Sequence, residues 1–176
     1  MIANRLWIAI ALLVLAGCGG SPDATAEREA AAERYLRGIY ECDASVADEL
    51  AADSIVISYP VFQTIFGKPA VRGSDEVKKF SEHFCSRWID GEITVDDLIY
   101  DGYDVVILWS FRAKNGIPGE DGSPPTLEES AWGGITLIRF NDDGKITTEV
   151  GEESTPGPSA RLEVDDDKDA TSPDIP

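Results

Sequence analysis

Basic charge is scarce in this sequence. Lys and Arg number 15 against 33 Asp and Glu, which leaves a formal net charge of -18. No basic cluster breaks the acidic surplus, so a polyanion such as DNA or RNA would be repelled and no nucleic-acid partner is expected. Histidine is scarcer still, with His83 the single one. One imidazole and well-separated cysteines cannot supply a zinc ligand set, so no metal is expected. On its helix His83 reads as a partly exposed residue rather than a general base. No serine elbow, phosphate loop or dinucleotide fingerprint is present, and no cofactor is expected. Long apolar runs are missing too. The longest, residues 6–16, is shorter than the roughly 18 residues of a membrane-spanning helix.

That short run has a different meaning at its position. Arg5 precedes it and Leu15-Ala16-Gly17-Cys18 ends it. This is the layout of an export signal. The four residues resemble the lipobox of bacterial lipoproteins, which implies cleavage after residue 17 and acylation of the Cys18 thiol, palmitate among the chains. Several acyl chains on one residue suffice for stable anchoring. Residues 1–17 are then a lipoprotein signal peptide and 18–25 a lipidated tether. Gly19, rather than Asp, follows the cysteine, which by analogy with enteric bacteria implies the periplasmic face of the outer membrane. Removing residues 1–17 loses Arg5 and no acid, so -18 becomes -19.

From residue 26 the pattern is that of a folded domain. Ala32, Tyr35, Leu36, Ile39 and Tyr40 follow the i, i+3, i+4, i+7, i+8 rule of an amphipathic helix. Asp43 reads as the N-cap of a short second helix carrying Val46, Ala47 and Leu50. Residues 54–59 alternate as a strand that Pro60 ends, and 61–66 reads as a second short strand. Ser74 caps a third helix whose buried face is Val77, Phe80, Phe84 and Trp88. Asp90-Gly91 reads as a turn into a third strand, from Ile93 toward Tyr100. Residues 103–112 are apolar on both faces, so both faces are expected to be covered.

The sharpest pattern is a long hairpin. Trp132, Gly134, Thr136, Ile138 and Phe140 alternate with their neighbours. Asn141-Asp142-Asp143-Gly144 then supplies the turn, and alternation resumes through Ile146, Thr148 and Val150. The polar loop 115–130, with Pro118, Pro124 and Pro125, is long for such a connection and reads as a mobile insertion. Residues 155–176 are acidic and Pro-rich and are expected to be disordered. Asp165-Asp166-Asp167 lacks the spacing of a calcium loop. Helices come first and a meander of long strands last, which is an α+β layer architecture.

The order of these segments is similar to that of the nuclear transport factor 2-like superfamily, its SnoaL-like and ketosteroid-isomerase-like branch above all. The carrying residues are Glu33-Arg34-Tyr35-Leu36 leading to Asp43, Leu50-Ala51-Ala52-Asp53, and Phe66-Gly67-Lys68-Pro69 with Gly73-Ser74-Asp75-Glu76-Val77. Ile138-Arg139-Phe140-Asn141-Asp142-Asp143-Gly144-Lys145-Ile146 completes the set. The resemblance covers residues 26–154. It implies a cone-like curved sheet with about three N-terminal helices on its concave face, a pocket inside, and in many members a homodimer through the outer sheet face.

Ketosteroid-isomerase chemistry needs a carboxylate base, a tyrosine donor and a second acid. Tyr35 stands at the family's tyrosine position. Tyr59 occupies the base position and Thr136 the second-acid position, so that reaction is not expected here. Tyr35 reads equally as a core tyrosine with a bonded hydroxyl. The candidate pocket is therefore aromatic: Tyr35, Tyr59, Phe62, Trp88, Trp109 and Trp132, with Thr136 as a polar point. Each could instead simply fill the core, and no catalytic residue stands out. Such a cleft suits a small hydrophobic ligand in a non-catalytic binding or accessory module. The alternatives are a cyclase or isomerase of a small apolar compound, with Glu149 or Glu152 as an inward acid, and an envelope protein-interaction module. Cys42 and Cys85 are an even pair outside the cytosol and read as a disulfide, or else as two buried thiols.

Overall fold

The helical stripe of Ala32, Tyr35, Leu36, Ile39 and Tyr40 seats the first element. The computed structural model describes residues 22–162, and there the stripe lies on α1 (Pro22–Tyr40), with every one of the five at most 1% exposed. The signal segment, residues 18–21 with Cys18, and the tail beyond Leu162 lie outside the described residues, whereas residues 22–25, expected as tether, are already the first turn of α1. α2 (Ser45–Leu50) follows, opened by the Asp43 carboxylate, which accepts from the Ser45 N–H at 3.2 Å. Gly38 lets the two helices meet closely, since a Cβ there would stand 2.4 Å from Val46 Cγ1. The chain then enters β1 (Ala51–Ser58).

Residues 61–66 form a helix, α3 (Val61–Phe66), and not the strand expected from the sequence. A short apolar run carries no decisive period. The four-residue spacing of Phe62 and Phe66 puts both rings against Phe80, at 5.0 and 6.1 Å. Pro60 suits a helix start, where an N–H has no partner to lose. After the brief β2 (Val71–Arg72), α4 (Ser74–Arg87) runs directly into β3 (Trp88–Tyr100). The expected turn at Asp90-Gly91 is instead a bulge: the register with β4 shifts between Ile89 and Glu92, and Asp90 adopts a φ of 54°. Such a bulge bends the strand without ending it. Trp88 is thus the first residue of a strand rather than the last on a helical face.

β4 (Asp104–Asn115), β5 (Glu129–Phe140) and β6 (Ile146–Ser154) complete an antiparallel meander with β3. β1 joins it in parallel along β6, giving the order β2-β1-β6-β5-β4-β3. The result is a mixed α+β fold in which a curved, open six-stranded sheet carries α1 to α4 on one face. The inward side chains of β4 and β5, Val105, Ile107, Trp109, Phe111, Ile138 and Phe140, close one core with α1, α3 and α4. Cys42 and Cys85 are disulfide-bonded, with a Cα separation of 5.8 Å, joining the end of α1 to α4.

The start of the expected disordered tail is ordered. Gly157 is buried, and a Cβ on it would lie 2.8 Å from Gly133 Cα, so the backbone is pressed onto β5. α5 (Pro158–Leu162) then packs on β4 and β5, with the Ser159 hydroxyl donating to Asp96 at 2.6 Å.

Candidate functional site

The concave face of the sheet holds two layers of polar chemistry. The deeper is a closed network around Glu149, on β6, whose side chain has no exposure. The Tyr35 hydroxyl, from α1, donates to Glu149 Oε2 at 3.0 Å, and the Tyr59 hydroxyl, just after β1, donates to Oε1 at 2.6 Å. The Tyr59 and Thr136 oxygens are 2.9 Å apart, and the Trp109 indole N–H donates to Thr136 Oγ1 at 2.9 Å. Tyr59 has one proton and directs it at the carboxylate. Thr136 must therefore donate to Tyr59 and accept from Trp109. Among the described residues no buried side-chain N or O lacks a partner.

Close approach of rings to backbone makes this layer possible. Tyr59 packs against Gly151, where a Cβ would come within 2.1 Å of its Cε1. Trp109 lies over Gly134, where a Cβ would come within 2.6 Å of its Cζ2. Glycine inside a strand commonly marks such an approach. Burial pushes the Glu149 carboxyl up to about 7, with the two phenols pulling the other way. Tyr35 and Tyr59 are held well above the usual phenol range, first by burial and then by the adjacent Glu149.

The upper layer is a cavity of about 510 Å³. Its walls are aromatic: Tyr40, Tyr59, Phe62, Phe80, Phe84, Trp88 and Trp132 all line it. Val61 and Ile65, from α3, border it while 37% and 38% exposed. The polar side chains of the lining, besides the two tyrosines, are Thr64, His83, Arg87, Glu153, Ser154 and Thr155. Glu153, at the end of β6, accepts from the Tyr40 hydroxyl at 3.2 Å. Burial raises its carboxyl above the usual range, against the pull of Tyr40 and Trp132. Glu149 is not part of the lining.

The residues expected at a pocket therefore divide. Tyr59, Phe62, Trp88 and Trp132 line the cavity, whereas Tyr35, Trp109 and Thr136 belong to the closed layer below it. Of the two acids expected to point inward, Glu149 does and Glu152 is exposed. Glu153 was missed. Its signal was the period of two along β6, which puts residues 149, 151 and 153 on one face. His83 is exposed at the rim, its ring 5.9 Å from that of Phe66. Among the described residues no cluster could hold a metal ion, and no helix is long and apolar enough to cross a membrane.

A family model described as the SnoaL-like domain matches residues 32–149. The chain belongs to the SnoaL-like family. Solved structures share its fold. TsrD from Streptomyces laurentii is 22% identical, with a TM-score of 0.58 over 74% of this chain and 90% of that one. A candidate SnoaL-like polyketide cyclase from Jannaschia sp. CCS1 is 16% identical, with a TM-score of 0.62 over 81% and 92%. An epoxide hydrolase of the LEH-like type from M. tuberculosis is 17% identical, with a TM-score of 0.55 over 74% and 81%. No curated protein matches the chain. At these identities the structural likeness speaks for the fold, and the SnoaL-like cone is here a small aromatic cavity over a sealed carboxylate.

Proposed function

We propose that this SnoaL-like domain is a membrane-anchored, non-catalytic module that binds a small, largely apolar ligand in the cavity beneath α3 and α4. The observation that carries this is the lining: a cavity of about 510 Å³ walled by seven Phe, Tyr and Trp rings, with six other polar side chains among them to orient a guest. That volume falls within the roughly 300–1,000 Å³ of small-molecule sites. The buried Glu149 has each oxygen bonded to a phenol and lies outside the lining, so it offers a ligand nothing. Cys18 supplies the anchor. The test is equilibrium dialysis of 4-phenylbutan-1-ol against the full chain in phosphatidylcholine nanodiscs, with empty discs as the blank. Saturable uptake, weakened several-fold by Trp132→Ala, is expected. Uptake equal to that of empty discs would overturn the reading.

One observation favours a second reading, a cyclase or isomerase. Glu153 is a carboxylate in an apolar wall with a raised pKa, which is the setting of a general base. A carbon-acid probe such as 5-nitrobenzisoxazole tests it. A base takes the C3 proton, the C–H electron pair forms a nitrile, and the N–O bond breaks to leave the oxygen as a phenolate on the same ring. Turnover lost in Glu153→Gln would establish it, and no turnover above buffer would exclude it.

The outer sheet face carries a row in register across β3 to β6: Ile99, Val106, Leu137 and Val150. Ile99 is 63% and Val150 43% exposed. We propose this row as the contact between two copies of the chain. Sedimentation that gives one copy per particle at high protein concentration would reject it.

A further inference from the structure

The cavity has a cation at its rim in a chain where cations are few. Most arginines of the described residues are engaged. Arg34 pairs with Glu49, Arg37 with Glu33, Arg112 with Glu92 and Arg139 with Asp104. Arg28 bonds the Gly102 carbonyl, and Arg161 bonds Ser154 and the Pro156 carbonyl. Arg87 forms no ion pair with another described residue. Its guanidinium lies 5.5 Å from the centre of the Trp88 ring. Trp88 is itself a cavity wall, and Arg87 lines the same cavity. Stacking of this kind holds a guanidinium in place while leaving its N–H fork open to an acceptor. Arg72 likewise has no ion pair with another described residue, but it does not line the cavity; Arg87 does.

From this arrangement we infer that the ligand of the cavity is an amphiphilic anion, an apolar body bearing one acidic head group that docks on Arg87. The inference rests on the binding reading above and adds the ligand's polarity and its direction of entry. The apolar body lies against Phe62, Phe84 and Trp132, within the aromatic walls. The head stays at α4, because Glu153 on the β6 side would repel it when ionised. His83, one turn before Arg87 on the same helix and also in the lining, adds a donor at the same rim. A bidentate bond from guanidinium to carboxylate, phosphate or sulfate is the strong form of such a contact. The bulk charge of -18 works against any anion, so a preference for one reports the local site and not the field of the whole molecule.

A matched trio tests the head group. The probes are 4-phenylbutyrate, 4-phenylbutan-1-ol and 4-phenylbutylamine, dialysed against the full chain in phosphatidylcholine nanodiscs at pH 8 and low salt. The acid is expected to bind about tenfold more tightly than the alcohol, with the amine weakest. Arg87→Gln should bring the ratio of acid to alcohol to about one in that variant, and Arg87→Lys should restore part of it. Added salt should shrink the acid's advantage in the parent chain. The alcohol binding as well as the acid, or a ratio that survives Arg87→Gln, would overturn the head-group inference and leave the cavity reading standing. Failure of all three probes would remove the cavity reading, and this inference with it. Arg87 is exposed at a helix terminus, so the variants are expected to fold, and far-UV circular dichroism checks that they do.

Discussion

Tyr59 reaches Glu149 across the concave face of the sheet, its hydroxyl 2.6 Å from Oε1 of a carboxyl group that has no exposure. This bond and the one from Tyr35 keep the acid satisfied. They do not offset the cost of ionising it away from water, and burial pushes it up to about 7. An unfolded glutamate titrates near 4.3. Below that value both states hold the proton and the native state has its full advantage. As pH rises toward 7 the unfolded chain releases the proton first, so stability falls across that window and levels above it. The gap corresponds to roughly 4 kcal/mol. Glu149→Gln keeps an acceptor for one phenol and removes the ionisation. Urea unfolding between pH 4.5 and 8 should show the fall in the parent chain and a much flatter profile in the variant. Equal slopes in the two would place the titration elsewhere.

The disulfide between Cys42 and Cys85 spans a sequence separation of 43. Closing a loop of that length removes chain entropy from the unfolded state, worth about 2–4 kcal/mol. Cys42→Ser with Cys85→Ser should therefore lower the unfolding midpoint by roughly 10 °C. The reduced parent chain should show the same loss. A double variant as stable as the oxidised parent would mean that the helices are already held by the packing of α1 on α4.

Much of this fold could be read from residue order, for a physical reason. Periods of 3.6 and 2 are local, and the stripes of α1 and β4 to β6 are long enough to declare themselves. α3 was misread because six residues are too few to separate the two periods, and what decides it is distant, the ring of Phe80. The parallel pairing of β1 with β6 has no local signature at all. At the site, Tyr35, Tyr59, Trp109 and Thr136 were found as a group but not as a sealed one. Only the sheet register, which lays Tyr59 on Gly151 and Trp109 on Gly134, shows that they close around Glu149. Nothing in residue order singles out Arg87, the last residue of α4, and its open rim position is visible only once Trp88 begins a strand.

The proposed lipid anchor makes a prediction about which way the cavity faces. Arg28 fixes the start of α1 to the far end of β3, bonding the Gly102 carbonyl and stacking on Tyr103 at 4.4 Å. The cavity draws Arg87 and Trp88 from the near end. β3 spans 13 residues between these ends, about 40 Å at ~3.3 Å per residue. Three residues separate Cys18 from Pro22 and reach at most about 14 Å. Acyl chains on Cys18 would thus hold the Tyr103 end against the bilayer and turn the cavity mouth toward the aqueous compartment. Metabolic labelling with palmitate should mark the parent chain and not Cys18→Ser, which should also leave the lipidated membrane fraction. In vesicles containing doxyl lipids, a bimane on Tyr103→Cys should be strongly quenched and one on Ile65→Cys hardly at all. Strong quenching at residue 65 would mean that the mouth lies on the membrane and draws its ligand from the bilayer. An unlabelled parent chain would instead remove the anchor on which the orientation depends.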